Sequence, residues 1–266
     1  MSALQPTIRQ IADALEQAAP LALQESYDNC GLLVGDPSAP CSGVLLTVDV
    51  TPDIVREAAA SGCNLIVAHH PLIFHGLKRL LDGGSAVEQA VIAALRDGIS
   101  VYACHTALDN APSGVSARMA AMLGLTDVDI LAPDPSGTTG TGAVGNLPVP
   151  VTAGRLVQIV KATFDSPVAR CSAFDMEAVI GRVALCGGSG SFLISDAISA
   201  GARAFITSDT KYHDFVDNAR RLLIIDIGHH ESENCTKDIF YHVIKEKFPN
   251  FAVRYSQFDV NPIIYL

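Results

Sequence analysis

Short apolar runs recur along this chain, each followed by glycine or polar residues and then by helically spaced apolar positions. That alternation marks βα units feeding a largely parallel sheet. The runs predict strands at Val44–Val48, Leu65–Ala68, Val101–Cys104, Val183–Cys186, Ala204–Thr207 and Leu222–Ile227. Ile8, Ile11, Ala12 and Leu15 fall at i, i+3, i+4 and i+7, and Thr51-Pro52 offers an N-cap with proline at the first helical position before Ile54–Ala60. Further helices are expected at Val87–Leu95, Val115–Leu123, Gly154–Thr163, Phe192–Ala200 and Thr236–Lys247.

Between Ala132 and Thr152 the composition turns to proline, glycine, serine and threonine, with three predicted strands on either side. The expected organisation is two similar α/β lobes, residues 1–131 and 153–266, joined by a Pro/Gly-rich connection at 132–152. The C-terminal segment has room to return to the first lobe.

With 49% hydrophobic and 17% charged residues in 266, the chain can fill such cores, which excludes a disordered or coiled-coil protein. So few charges also predict a homo-oligomer, because interface cores are depleted in charge. The net charge of −10 and the lack of any Lys/Arg run argue against a nucleic-acid partner; Lys78-Arg79, Arg220-Arg221 and Lys245–Lys247 read as solvated faces. No apolar stretch approaches the ~20 residues of a membrane-spanning helix, and no secretory signal is expected at the start. Seven cysteines without a CxxC pair read as reduced core residues of a cytoplasmic chain.

In open parallel sheets, ligands gather beyond the carboxyl ends of the strands. Here those ends carry reactive side chains: Asp49, His69-His70-Pro71, His105 with Asp109, and Gly228-His229-His230 with Glu233. Successive strand residues face opposite ways, so His69 and His70 converge only if the strand stops there, as Pro71 encourages. His229 and Glu233 are four apart and would share one face of a helical turn. Three imidazoles (His69, His70, His229) and two carboxylates (Asp109, Glu233) exceed one open four-coordinate zinc but suit two divalent ions sharing a bridging carboxylate. Cys104 and Cys235 are weaker candidates, one lying in an apolar run and the other lacking a second thiol. The Gly187–Gly190 stretch admits an anion-binding reading or a structural turn, and Lys211–Asp214 either lines a pocket or caps a helix. His75 and His242 read as structural or exposed.

Taken together, Tyr27-Asp28-Asn29-Cys30-Gly31-Leu32-Leu33-Val34-Gly35, Ala68-His69-His70-Pro71-Leu72-Ile73-Phe74, His105-Thr106-Ala107-Leu108-Asp109, Cys186-Gly187-Gly188-Ser189-Gly190 and Gly228-His229-His230-x-x-Glu233 resemble the NGG-interacting-factor-three-like family, the GTP cyclohydrolase 1 type 2 homologues. The resemblance runs over nearly the whole chain. It implies two α/β lobes with a dinuclear metal site in the cleft between them, often in a ring-shaped homohexamer, and metal ligands at His69, His70, Asp109, His229 and Glu233. His230 matches less strictly and stays outside that set.

The expected activity is metal-dependent hydrolysis of a C–N bond in a small, nucleotide-like molecule. Two divalent ions (zinc, iron, manganese or magnesium) bridged by Asp109 or Glu233 would lower the pKa of a bound water. His105 is the candidate catalytic side chain, either shuttling a proton or holding Asp109 by a hydrogen bond. The alternative is a non-catalytic metal-binding or scaffold protein using the same ligands.

Overall fold

The computed structural model describes residues 5–266. The chain forms two compact units: one ends its first stretch at Leu108 and takes up Thr236–Val260, and the other comprises Asp109–Cys235 and Asn261–Leu266.

In the first unit, α1 (Ile8–Ala18) starts at a reciprocal cap, Thr7 Oγ1 accepting from the Gln10 N–H and Gln10 Oε1 from the Thr7 N–H. It buries the predicted stripe of Ile8, Ile11, Ala12 and Leu15. After β1 (Gly31–Val34) and β2 (Val44–Thr47), α2 (Pro52–Ala60) is capped by Thr51 as its sequence suggests. Then follow β3 (Leu65–Ala68), α3 (Ala86–Asp97), β4 (Ser100–Ala103) and the one-turn α4 (Thr106–Asp109). Strands β2, β3 and β4 are parallel and buried at every residue, which is why they read as unbroken apolar runs. Leu45, Ile66 and Val101 pack with Ile54 and Val55 of α2 and with Ala90, Val91 and Ala94 of α3. Each fully buried branched aliphatic side chain there contributes roughly 1.5–3 kcal/mol.

The second unit runs through α5 (Val115–Met122), β5 (Thr126–Pro133), β6 (Gly140–Thr152), α6 (Ala153–Thr163), β7 (Arg170–Cys171), β8 (Val179–Ser189), α7 (Ile194–Ser199), β9 (Ala204–Ser208), α8 (Tyr212–Asn218), β10 (Leu223–Asp226) and α9 (His229–Glu233). Its sheet has the order β5-β6-β8-β9-β10-β7. Only β8, β9 and β10 run parallel, so this sheet is mixed rather than largely parallel.

The 132–152 stretch is not a connection between units. It completes β5, turns, and becomes β6, all inside the second unit. Asp134 builds the turn by accepting from the Ser136 and Gly137 amides. Pro148 and Pro150 lie where the β6–β8 register shifts between Asn146 and Val151, a place where strands tolerate a missing donor. A hairpin turn plus a proline bulge has the composition of a linker. The expected boundaries at 131 and 153 therefore give way to crossings at Leu108/Asp109, Cys235/Thr236 and Val260/Asn261.

Back in the first unit, α10 (Thr236–Lys247) leads to β11 (Val253–Tyr255), which pairs in parallel with β2 and completes the order β1-β4-β3-β2-β11. Lys237 Nζ meets Asp259 at 2.5 Å, and the same carboxylate accepts from the Val48 N–H at 3.1 Å, tying this return to the end of β2. Among the described residues, no helix is long and apolar enough to cross a membrane.

Candidate metal centre

The end of β3 places the first candidate ligands. The His69 and His70 N–H groups donate to the Thr47 and Val48 carbonyls, continuing the β2–β3 ladder for two residues before Pro71 ends it. His69 is fully buried and His70 partly so. His105, at the turn from β4 into α4, brings a third ring: the His69–His70, His69–His105 and His70–His105 centroids are 5.1, 5.3 and 5.3 Å apart. One nitrogen from each lies within 4.8 Å of the other two, close enough to hold an ion.

Hydrogen bonding orients all three rings alike. Nδ1 of His69 faces the Cys104 carbonyl at 3.0 Å, Nδ1 of His70 faces Asp49 at 2.9 Å, and Nδ1 of His105 faces Asp28 at 2.9 Å. Carbonyl and carboxylate oxygens only accept, so each Nδ1 carries the proton and donates. In the neutral ring Nε2 is then the lone-pair nitrogen, the arrangement by which proteins prepare imidazoles for divalent metals. Three nitrogens so oriented and so close fit a divalent ion.

Asp28 is itself heavily solvated by the protein. It accepts from the Asn29 amide at 2.7 Å, from the Thr106 amide at 3.0 Å, from the Thr106 hydroxyl and from the Cys30 thiol at 3.3 Å. Burial alone would push this carboxyl up, but the bonds from His105, Thr106 and Asn29 outweigh it and hold it well below the usual carboxylate range. From the sequence His105 is either a proton shuttle or a hydrogen-bond partner of Asp109; its Nδ1 faces Asp28. Burial pushes the neighbouring Cys30 thiol up to about 12.

In the second unit the i, i+4 spacing of His229 and Glu233 takes the expected form: α9 is one turn, with His229 Nε2 2.9 Å from Glu233 Oε2. His229 Nδ1 faces Asp209 at 2.7 Å, so this ring lies between two carboxylates. Glu233 is buried and partly exposed Asp109 closes α4. Burial, with the negative charges of Asp109 and Glu233, pushes the Cys186 thiol up.

Gly188 explains the glycine run beside them. With φ at +62°, a Cβ on it would stand 2.2 Å from Glu233 Oε1 and 3.5 Å from the His229 ring, so only glycine lets the ligand turn settle on the end of β8. The Gly188 N–H donates to Ser232 Oγ and the Gly190 N–H to Thr207 Oγ1, both at 2.9 Å. These amides serve internal bonds, which favours the structural reading over anion binding. At α8, Asp214 accepts from the Lys211 N–H at 2.9 Å, the capping alternative. His75 packs on Phe74 and His242 faces the Asp238 carbonyl at 2.6 Å. Cys104 contributes its carbonyl to the site.

Asp28, Asp49 and Asp209, which face the Nδ1 atoms of His105, His70 and His229, are the residues of this candidate site to which the sequence assigned no role. Asp49 and Asp209 each follow a predicted strand, and Asp28 lies in the first of the five motifs, so position alone could have drawn attention to them.

Residues 6–262 match the family model described as Duf34/NIF3 (NGG1p interacting factor 3). A "GTP cyclohydrolase 1 type 2 homolog" of Lactococcus lactis is 35% identical over 254 residues, covering 93% of this chain and 95% of the relative. The protein of the same name from Clostridium perfringens is 31% identical over 229 residues, 85% of this chain and 86% of its own. Among solved structures, a Bacillus cereus protein related to NIF3 superposes with a TM-score of 0.93 at 24% identity, over 99% of this chain and 100% of that one. A Staphylococcus aureus hypothetical protein gives 0.90 at 26% identity, over 98% and 99%. The chain belongs to the Duf34/NIF3 family.

Proposed function

We propose that this protein is a metal-dependent hydrolase acting on a small, nucleotide-like molecule, with two divalent ions held by His69, His70, Asp109, His229 and Glu233. The observation that carries the reading is the common orientation of three imidazoles: Nδ1 of His69, His70 and His229 each faces an oxygen, turning Nε2 toward ligation. When bound, such ions supply Lewis acidity and lower the pKa of water into the physiological range. Zinc, iron, manganese and magnesium all accept nitrogen and oxygen ligands of this kind.

The chain's own residues have separable tasks. Asp49, Asp209 and the Cys104 carbonyl fix three of the rings. Asp28, kept ionised by its donors, holds the proton on His105 Nδ1 and leaves Nε2 to take or give a proton at the reacting group. The relatives' printed names support a nucleotide-like substrate with a C–N bond to be cleaved.

A cytoplasmic setting and a homohexamer belong to the same proposal. The first is supported by seven unpaired cysteines, the second by large exposed apolar side chains such as Phe192, Val260 and Ile264.

The test is elemental analysis of the purified protein, followed by a nucleotide panel assayed for metal-dependent C–N hydrolysis. Turnover that disappears with chelation and returns with one of the four metals supports the reading. Full metal loading with no turnover across the panel overturns the enzyme and leaves a metal-binding protein.

A further inference from the structure

Beside the imidazole cluster of the first unit, two aromatic side chains stand in the open. Tyr27 is 63% exposed and Phe74 38% exposed. Their ring centroids lie 6.4 Å apart, and Phe74 meets His105 edge-on at 6.2 Å. The Tyr27 and Phe74 planes are tilted by 46°, and the Phe74 ring in turn borders His105, whose ring lies 5.3 Å from that of His70.

Exposed aromatics on loose loops would mean little, but these loops are clamped. The Asn29 side-chain amide donates to the Ile73 carbonyl at 2.6 Å, binding the loop that carries Tyr27 to the loop that carries Phe74. Asp28, between Tyr27 and Asn29, is anchored by His105 and by the Thr106 amide. The two rings are thus held at fixed distance from the imidazoles by bonds that the metal ligands themselves do not need. The exposed part of each ring is apolar surface that a flat aromatic molecule would remove from water.

We propose that Phe74 stacks on a planar heteroaromatic ring that the tilted Tyr27 ring borders at its edge, and that this aromatic pair makes the site select ring-bearing molecules over the bare sugar phosphates. The inference rests on reading the imidazole cluster as part of a substrate site, and it narrows the substrate class to one with a flat π-face at the reacting end. A ring lying on Phe74 would sit beside His105, within reach of the proton that His105 is placed to move. Stacking tolerates different bases because every base has a π-face, so selectivity among rings would come from other contacts.

The experiment uses metal-loaded protein and the fluorescent probe 2-aminopurine riboside 5′-monophosphate. The chain has no tryptophan, so emission excited in the probe's own band reports the probe. Saturable quenching is expected on binding. Phe74→Leu should weaken probe binding by about tenfold or more, the scale of losing one base–aromatic stack, and Tyr27→Leu should weaken it too, while Phe74→Tyr and Tyr27→Phe keep it. Metal content and melting temperature should match the parent in all four, and ribose 5-phosphate should displace the probe far less well than unlabelled GMP. No saturable quenching up to millimolar protein, unchanged affinity in both leucine variants, or equal displacement by ribose 5-phosphate would each overturn the inference. Binding is read without turnover: a protein that stacks the probe and hydrolyses nothing keeps this inference and loses the hydrolase. A hydrolase indifferent to both leucine substitutions loses this inference alone.

Discussion

Asp28 and His105 stand 77 positions apart in the chain and meet at 2.9 Å, with the Asp28 side chain fully buried and the His105 ring still partly open to solvent. One end of the imidazole is thereby fixed to a carboxylate that stays ionised, and Nε2 is turned away from it. The same device, an oxygen on Nδ1, recurs at His69, His70 and His229.

Replacing Asp28 by Asn should destabilise the protein in a pH-dependent way. The folded carboxyl stays ionised well below the ordinary value of 3.8, so on acidification the unfolded chain binds its proton first. The stability due to Asp28 is complete above about pH 5 and is lost progressively below about pH 4. Urea denaturation of both proteins from pH 7 to pH 3 should show a gap that closes toward low pH. A constant gap would mean that Asp28 acts by packing alone.

Gly188→Ala separates strain from ligand displacement. Alanine at this φ should cost about 1 kcal/mol, and its Cβ would drive Glu233 aside, lowering metal affinity by about tenfold or more. Gly62→Ala is the control: its φ is +73° and nothing lies within 4 Å of the added Cβ. It should show a similar stability loss with unchanged metal affinity by isothermal titration.

Much of this arrangement was legible in the sequence because it is local. The buried parallel strands β2, β3 and β4 appear as apolar runs, their ends mark His69, His70 and His105, and the one-turn spacing of His229 and Glu233 survives in α9. Partners fixed by tertiary structure were not: Asp49 reaches His70 across 21 positions and Asp209 reaches His229 across 20. Strands β5 and β11 were missed because most of their side chains are exposed and their apolar pattern is thin. The 132–152 stretch misled because proline at a bulge and proline in a linker look alike in one dimension.

Cys30 is partly exposed, yet its thiol should resist alkylation. Burial pushes it up to about 12, so little thiolate exists near neutrality. Mass spectrometry after iodoacetamide at pH 7.5 should find Cys30 unmodified in the native protein and modified in urea. Rapid native labelling would show that the loop at 27–30 opens.

Glu233→Gln and His105→Ala should fail differently. The amide removes charge needed to hold two cations together, so Glu233→Gln should lose at least one ion and all hydrolysis. His105→Ala should keep its metal and lose turnover by roughly 100-fold, the usual scale of acid–base assistance. Loss of metal from His105→Ala would make His105 a ligand, joining His69 and His70.

The most direct measurement is the metal content of the purified, uncleaved chain by elemental analysis, set against protein concentration from amino-acid analysis. The ligand set predicts about two divalent ions per chain, removed by exhaustive chelation with a fall in melting temperature and restored on adding metal back. Well under one ion per chain, with a melting temperature that chelation does not move, would contradict the dinuclear centre.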